Sequence, residues 1–409
     1  MTWRPIASGQ SAWLSIIGIG EDGLKGLNPQ ARKALDDADL VWGGKRHLVL
    51  AQIDNRRRRP WPSPLDAAFD EIKAAVGQKV AVLASGDPFH FGIGSSLARH
   101  ISMDEIVVFP QPSSFSLAAA RLGWPLDQTD CLTIHGRAME RIRPFLQPSA
   151  KLMLLSWDET SPEQVADMLH ELGLGETQMS VLEALGGPNE RVRATTVCRF
   201  ETTDFNPLNL IALELPSTFP HALPRTGGLD DDLFEHDGQI TKQTIRAVTL
   251  SALAPRAGEL LWDIGLGSGS IAVEWLLAHP KNRAIGVEKV SKRADRARRN
   301  ATKLGVPGLI VIEGNVLDHI DDLEPPDAVF IGGGGTTYGV IPRALEALRQ
   351  GGRLVVNAVT LETESLLSDL HSKHGGELRR ISVADAEQVG RFRSLRPALP
   401  ITQWRWIKG

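Results

Sequence analysis

Cysteine is scarce in this chain. Of 409 residues only Cys131 and Cys198 are cysteine, and neither has a Cys or His neighbour at metal-ligand spacing, which excludes a disulfide framework and a zinc site. Both lie in apolar runs and are expected to be reduced core residues. Long apolar runs are missing too. The first, residues 14–19, is far short of a signal-peptide core or a membrane span, so a cytoplasmic protein without a membrane partner is expected. No Pro- or Gln-rich tract breaks the pattern, which excludes a low-complexity chain. An excess of one charge is also absent. There are 45 Lys and Arg against 49 Asp and Glu, a net charge of −4, and the basic residues are scattered through both halves. A nucleic-acid partner held by a basic face is therefore not expected, whereas a small or acidic ligand fits.

What is present is enough apolar residue, 42%, for two cores, and the length exceeds what one core organises. Apolar runs at 13–19, 79–84, 106–109 and 151–155 alternate with stretches of helical period, which predicts α/β layers. Asn28 before Pro29 reads as a helix cap, and Ser161-Pro162-Glu163-Gln164 as a capping box. Runs at 178–182, 191–199 and 208–214 without helices between them predict antiparallel strands closing a second lobe. Between 216 and 237 the chain turns to Pro216, Pro220, Pro224, Gly227, Gly228 and the acidic Asp230-Asp231-Asp232, with no periodicity. A boundary belongs there, giving domains at 1–220 and 226–409. From 259 strands at 259–264, 284–287, 309–312, 327–331 and 353–357 alternate with helices starting near Ser270, Ser291, Gly339 and Glu362. This predicts a parallel, doubly wound sheet.

In the second half Asp263-Ile264-Gly265-Leu266-Gly267-Ser268-Gly269-Ser270 joins a strand to a helix, where bare backbone amides can receive a nucleotide-like ligand. The dinucleotide fingerprint needs its third glycine at 270, but Ser270 stands there and Gly269 comes one residue early. Glu288 ends the next strand about 20 residues on, where a carboxylate can accept from ribose hydroxyls. Asn315 and Val316, after the following strand, are placed to bond an adenine edge and pack on its face. A simple strand-end turn is the alternative for that pair.

The loop resembles the Asp-x-Gly-x-Gly-x-Gly signature of Rossmann-like methyltransferases, which implies S-adenosylmethionine as cofactor, with Asp263, Gly265, Gly267, Gly269 and Glu288 in its site. Three further stretches resemble the decarboxylating precorrin methyltransferase family. They are Asp237-Gly238-Gln239-Ile240-Thr241-Lys242, which by the resemblance lays Thr241 over the cofactor, then Ile331-Gly332-Gly333-Gly334-Gly335, and Asn357-Ala358-Val359-Thr360-Leu361-Glu362-Thr363. Four adjacent glycines are costly to order, by roughly 0.5–1 kcal/mol each, and close approach of an anionic ligand would offset that. A flexible surface loop is the plain alternative. The resemblance implies catalytic roles for Asn357 and Glu362 around a dry pocket.

The first half, residues 13–215, is similar to a different family, the tetrapyrrole methylases, a bilobed fold. Ile17-Gly18-Ile19-Gly20-Glu21-Asp22-Gly23 and Ser85-Gly86-Asp87-Pro88-Phe89-His90-Phe91-Gly92 each follow a strand. The resemblance places Gly20, Gly86, Asp87 and Pro88 at the methionine end of the cofactor, with hydroxyls from Ser113 and Ser114 in Pro110-Gln111-Pro112-Ser113-Ser114-Phe115. Leu185, in Glu183-Ala184-Leu185-Gly186, and Leu210, in Asn209-Leu210-Ile211, are implied to hold adenosine through their backbone. Thr133-Ile134-His135-Gly136-Arg137 resembles a further segment of that family, which implies that His135 and Arg137 meet substrate carboxylates as catalytic-site residues. Each piece also has a structural reading, since Gly-Asp-Pro is a common turn and Ser-Ser a common cap.

The two families in this order match a known fusion. It implies one S-adenosylmethionine per domain, methylation of a precorrin at C5 by the first domain, and methylation at C15 with loss of carbon dioxide by the second. A homo-oligomer is also implied. Another acceptor, RNA or protein, and a non-catalytic module that senses the cofactor are the alternatives. Arg56-Arg57-Arg58-Arg59 is expected to be a solvated loop. Arg391, Arg393 and Arg396, near Trp404 and Trp406, are expected on a strand with charged faces.

Overall fold

Short runs that bury nearly every side chain make strands covered on both faces, which is what parallel sheet between helices requires. Leu14–Ile19 buries all but Ser15, and Val80–Ser85 all but Ser85. The computed structural model describes residues 12–332 and 339–409. The chain forms two compact units, one reaching to Arg137 and resuming at Gln147–His221, the other made of Ala138–Leu146 and Ala222–Gly409. The change of unit after His221 falls in the Pro- and Gly-rich stretch. Inclusion of 138–146 in the second unit is not written in the pattern of the sequence.

The first unit runs β1 (Leu14–Ile19), α1 (Pro29–Asp36), β2 (Leu40–Gly43), α2 (Lys45–Leu50), β3 (Arg58–Pro60), α3 (Asp66–Ala74), β4 (Val80–Ser85), α4 (Gly94–Leu97), β5 (Ile106–Phe109) and α5 (Ser114–Leu122). Its first lobe is a parallel sheet in the order β3-β2-β4-β1-β5. The second lobe adds β6 (Asp130–Thr133), β7 (Lys151–Leu155), α6 (Ser161–Glu171), β8 (Gln178–Glu183), β9 (Arg191–Thr196) and β10 (Asn209–Glu214). These pair as β6-β7-β10-β8-β9, antiparallel except between β6 and β7. α5 carries Phe115 into a core with Leu182, Leu185 and Leu210 of the second lobe.

Local expectations hold in part. Asn28 accepts from the Ala31 amide at 2.8 Å, with Pro29 opening α1. The capping box at Ser161 does not form. Its hydroxyl accepts from the amides of Trp157 and Asp158 behind it, so it fixes the turn before α6, and Asp158 receives the Thr160 amide. β9 stops at Thr196 because residues 197–199 close a single helical turn. The arginine run is not a solvated loop. Arg58 and Arg59 pair with β2 as an edge strand, and the Arg57 guanidinium donates to the carbonyls of Leu35, Asp36 and Ala38, groups that a helix end leaves unpaired. Cys131, half-buried, packs against the second lobe's core, whereas Cys198 is exposed; both are free.

The second unit runs α7 (Gln243–Leu253), β11 (Leu260–Ile264), α8 (Ser270–Ala278), β12 (Arg283–Glu288), α9 (Ser291–Lys303), β13 (Ile310–Glu313), β14 (Ala328–Ile331), α10 (Val340–Ala347), β15 (Arg353–Ala358), α11 (Leu361–His374), β16 (Glu377–Ile381), β17 (Ala384–Val389), β18 (Phe392–Pro397) and β19 (Ile401–Ile407). Its sheet has the order β13-β12-β11-β14-β15-β19-β16, with β19 antiparallel to both neighbours. Side chains alternate between two cores, as strand geometry demands. Leu261 joins Trp275 and Phe330 on one face, and Leu260, Trp262 and Ile264 join Trp404 on the other. The tail is therefore two things. Trp404 lies on the buried β19, while Arg391, Arg393 and Arg396 belong to an exposed hairpin, β17 and β18. Among the described residues no helix is long and apolar enough to cross a membrane.

Candidate active site

Strand order in the second unit reverses between β11 and β14, so a crevice must open at their carboxyl ends. A cavity of about 990 Å³ lies there, at the upper end for small-molecule sites. It is lined by Thr241, Asp263, Gly265, Gly267, Glu288, Asn315 and Val316, all expected cofactor residues, and by Asn357. Gly267 has φ +57, where a side chain would be strained. A Cβ there would meet nothing nearer than 3.9 Å, so the space beside it is open. Gly269 serves packing instead, because a Cβ would come within 3.0 Å of Ala297, and it does not line the cavity.

Glu288 accepts from the Gly267 amide at 2.8 Å and from the Val290 amide at 3.0 Å. Each oxygen keeps acceptor capacity for a hydroxyl. Asp263 accepts from the Ala272 amide at 3.1 Å. Burial, reinforced by the charge of Glu288, pushes its carboxyl up to about 8, so it is mostly protonated at neutral pH. Asn315 uses its carbonyl to cap the turn at 316–318, leaving its amide hydrogens as donors. Glu362 stands on the exposed first turn of α11, outside the cavity lining. Gly332 lines the cavity, and the rest of the glycine run, Gly333 to Gly335, lies outside the described residues.

One wall is held down by buried charge. Arg246, fully buried, pairs with Glu274 and with Asp231 at 3.0 Å and donates to the carbonyls of Leu229 and Thr241. Glu274 also accepts from the amides of Gly228 and Leu229. Asp237 bonds Arg293 and Arg296. The segment carrying Thr241 is thereby pinned on both sides.

In the first unit the loops after β1 and β4 touch. A Cβ on Gly18 would fall 1.9 Å from the Gly86 carbonyl, and one on Gly86 within 3.0 Å of Ser113. Gly20, Gly86, Asp87, Pro88, Ser113 and Ser114 are thus brought to one edge of the sheet. The Asp87 carboxylate accepts from the Phe89 amide at 2.8 Å. Ser113 spends its hydroxyl capping α5, accepting from Ser116, so the structural reading applies to that group. Leu185 and Leu210 bury their side chains in the core that α5 shares. Arg137 lies 5.9 Å over Phe91 of the Gly-Asp-Pro loop, whereas His135 stacks on the exposed Trp157 at 5.1 Å.

Residues 14–200 match the family described as Tetrapyrrole (Corrin/Porphyrin) Methylases, and residues 232–408 the Precorrin methyltransferase domain. A "Precorrin-6Y C(5,15)-methyltransferase [decarboxylating]" of Sinorhizobium sp is 50% identical over 98% of this chain and 97% of its own. The chain belongs to the decarboxylating precorrin-6Y C(5,15)-methyltransferase family. Two relatives cover parts of it. A "Probable cobalt-precorrin-6B C(15)-methyltransferase (decarboxylating)" of Saccharolobus solfataricus is 41% identical over 33% of this chain and 71% of its own. A "Cobalt-precorrin-7 C(5)-methyltransferase" of Salmonella typhimurium is 29% identical over 44% of this chain and 88% of its own.

For this methyltransferase family member, sequence reasoning missed one cluster in the first unit. At the start of α2, Arg46 pairs with Glu21 and donates to Ser85 at 3.3 Å and to His47 Nε2 at 2.9 Å. His47 Nε2 lies 2.8 Å from Ser85 Oγ. Arginine only donates, so Nε2 accepts and the ring proton sits on Nδ1. Burial and then the Arg46 charge bring His47 down to about 4, leaving it neutral. The signal was Gly43-Gly44 followed by Arg46-His47 directly after β2, a strand end facing the same loops.

Proposed function

We propose that this chain uses S-adenosylmethionine to methylate precorrin-6Y at C5 in the first unit and at C15 in the second, with loss of a carboxyl group as carbon dioxide in the second. The names of relatives of nearly full length and of those covering a part support a division into two activities. The observation that carries the reading is the second unit's cavity, where an open space beside Gly267 adjoins a carboxylate already fixed by the loop. S-adenosylmethionine, when bound, supplies the methyl group as a sulfonium electrophile.

The residues present fit that group. Asn315 would donate to the adenine edge, Val316 would pack on its face, and Glu288 would accept from the ribose hydroxyls. Gly332, Asn357 and Val359, at the ends of β14 and β15, would be left to line the space for an acceptor. Thr241 covers the site, and the pinned segment around it excludes water. In the first unit Gly20, Gly86, Asp87, Pro88 and Ser114 hold the methionine end. Ser113 fixes that loop by capping α5. Leu185 and Leu210 flank adenosine through their backbone, and Arg137 and His135 take substrate carboxylates. A conjugated acceptor brings its own nucleophilic carbon, so the protein's work is alignment within dry clefts rather than strong base catalysis.

Incubation of the chain with methyl-labelled S-adenosylmethionine and precorrin-6Y, followed by mass analysis, is the test. The product is expected to carry two labelled methyl groups and to lack one carboxyl. A single methyl, or full retention of carboxyl groups, contradicts the reading.

A further inference from the structure

Behind Asn357 lies a buried polar network that explains which way its amide points. Asn357, near the end of β15, lines the cavity and is paired in register with Gln403 of β19. Thr249 on α7 is fully buried, and Gln403 is 2% exposed. The Thr249 hydroxyl lies 2.7 Å from the carbonyl of Ile245. A carbonyl only accepts, so the hydroxyl proton is committed there and Thr249 Oγ1 can only accept from other groups. The Asn357 atom at 2.9 Å from Oγ1 is therefore its nitrogen. Its oxygen then faces Gln403, whose Nε2 donates at 3.0 Å and also reaches Thr249 at 3.4 Å.

Each assignment forces the next, so the amide cannot flip without leaving buried groups unpaired. One hydrogen on Asn357 Nδ2 remains without a partner among the described residues, on a side chain that lines the cavity. The site therefore offers a fixed, neutral donor. Val359, Ala398, Leu399 and Ile401 line the same cavity, and the charged group that this stretch of chain adds to the lining is the acidic Asp385. Of the lining cations, Lys289 and Arg293 come from the end of β12 and from α9, and Lys242, which precedes α7, is paired with Asp231 at 3.4 Å. β12 is three strand spacings from β15, roughly 14 Å.

Cations that are distant or already paired suit decarboxylation. An ion pair would stabilise the carboxylate before reaction and oppose its loss, whereas a neutral donor orients it at little cost to the barrier. We propose that Asn357, held by the positioning residues Thr249 and Gln403, donates to the substrate carboxylate that the second unit removes. The bond from the ring substituent's carbon to the carboxylate breaks, carbon dioxide leaves, and the electron pair passes into the conjugated macrocycle. A proton from water then completes the carbon. The inference rests on the reading of the second unit as the decarboxylating one.

The test measures carbon dioxide released per methyl transferred by the full chain with precorrin-6Y. Gln403→Met and Thr249→Val each remove one support of the amide at nearly constant volume, and Asn357→Leu removes the donor. In all three the ratio is expected to fall roughly tenfold or more, the scale of losing one buried hydrogen bond, while donor binding by the second unit, read by calorimetry, is unchanged. A purely structural role would move donor binding and leave the ratio alone. Any of the three variants that binds donor and keeps the parent ratio overturns the proposal. Asn357→Leu changes a cavity-facing group and keeps the test decisive if the buried replacements misfold. A parent chain that releases no carbon dioxide would instead sink the underlying function.

Discussion

A carboxyl group buried without a cation beside it holds its proton, and Asp263 does so up to about pH 8. In the unfolded chain it ionises near 4. Between those values the folded second unit binds a proton that the unfolded chain releases. Its contribution to stability is therefore full below about pH 4 and is lost as pH rises toward 8, by at most about 1.4 kcal/mol per pH unit. Asp263→Asn can still accept from the Ala272 amide and should flatten this dependence. Denaturant unfolding of the variant and the parent between pH 5 and 8 checks it, and parallel slopes would contradict the assignment. Asp263 and Glu288 were legible because their spacing from the glycines is local in sequence. Thr249 and Gln403 were not, since the bond that joins them spans 154 residues. Ser161 and Ser113 show the limit from the other side: a hydroxyl at a helix start was read once as a cap and once as a ligand group, and only the backbone decides which.

At the scale of elements, the parallel strands were legible from their apolar runs, and the helices after them from where the runs stop. α7 was not legible, because two of its six buried residues, Arg246 and Thr249, are polar and break the apolar period. Nor was the β17–β18 hairpin, whose twelve residues are all exposed and so carry no burial period. The pinned wall of the cavity depends on α7 through Arg246. Arg246→Met would leave Glu274 buried with its charge uncompensated, which costs about 3–5 kcal/mol. Denaturant unfolding should register that loss in the second unit, and weaker donor binding should accompany it, since Thr241 loses a hydrogen bond at the same wall. A change below about 1 kcal/mol would mean that Asp231 and Glu274 are not held by this guanidinium.

For the whole molecule, two compact units stand in one chain, each with its own glycine turn at the carboxyl end of a parallel sheet. Length pointed to two domains and the Pro- and Gly-rich stretch to a crossing near 221, but not to the excursion of 138–146, a short segment with no compositional mark of the unit it joins. Each unit is predicted to bind its own S-adenosylmethionine. Calorimetric titration of the full chain with S-adenosylmethionine measures this directly, beside the variant Gly267→Val, whose side chain the +57 backbone cannot accept without strain. Two sites in the parent and one in the variant are predicted, and a single site in the parent, or loss of all binding in the variant, would contradict the account.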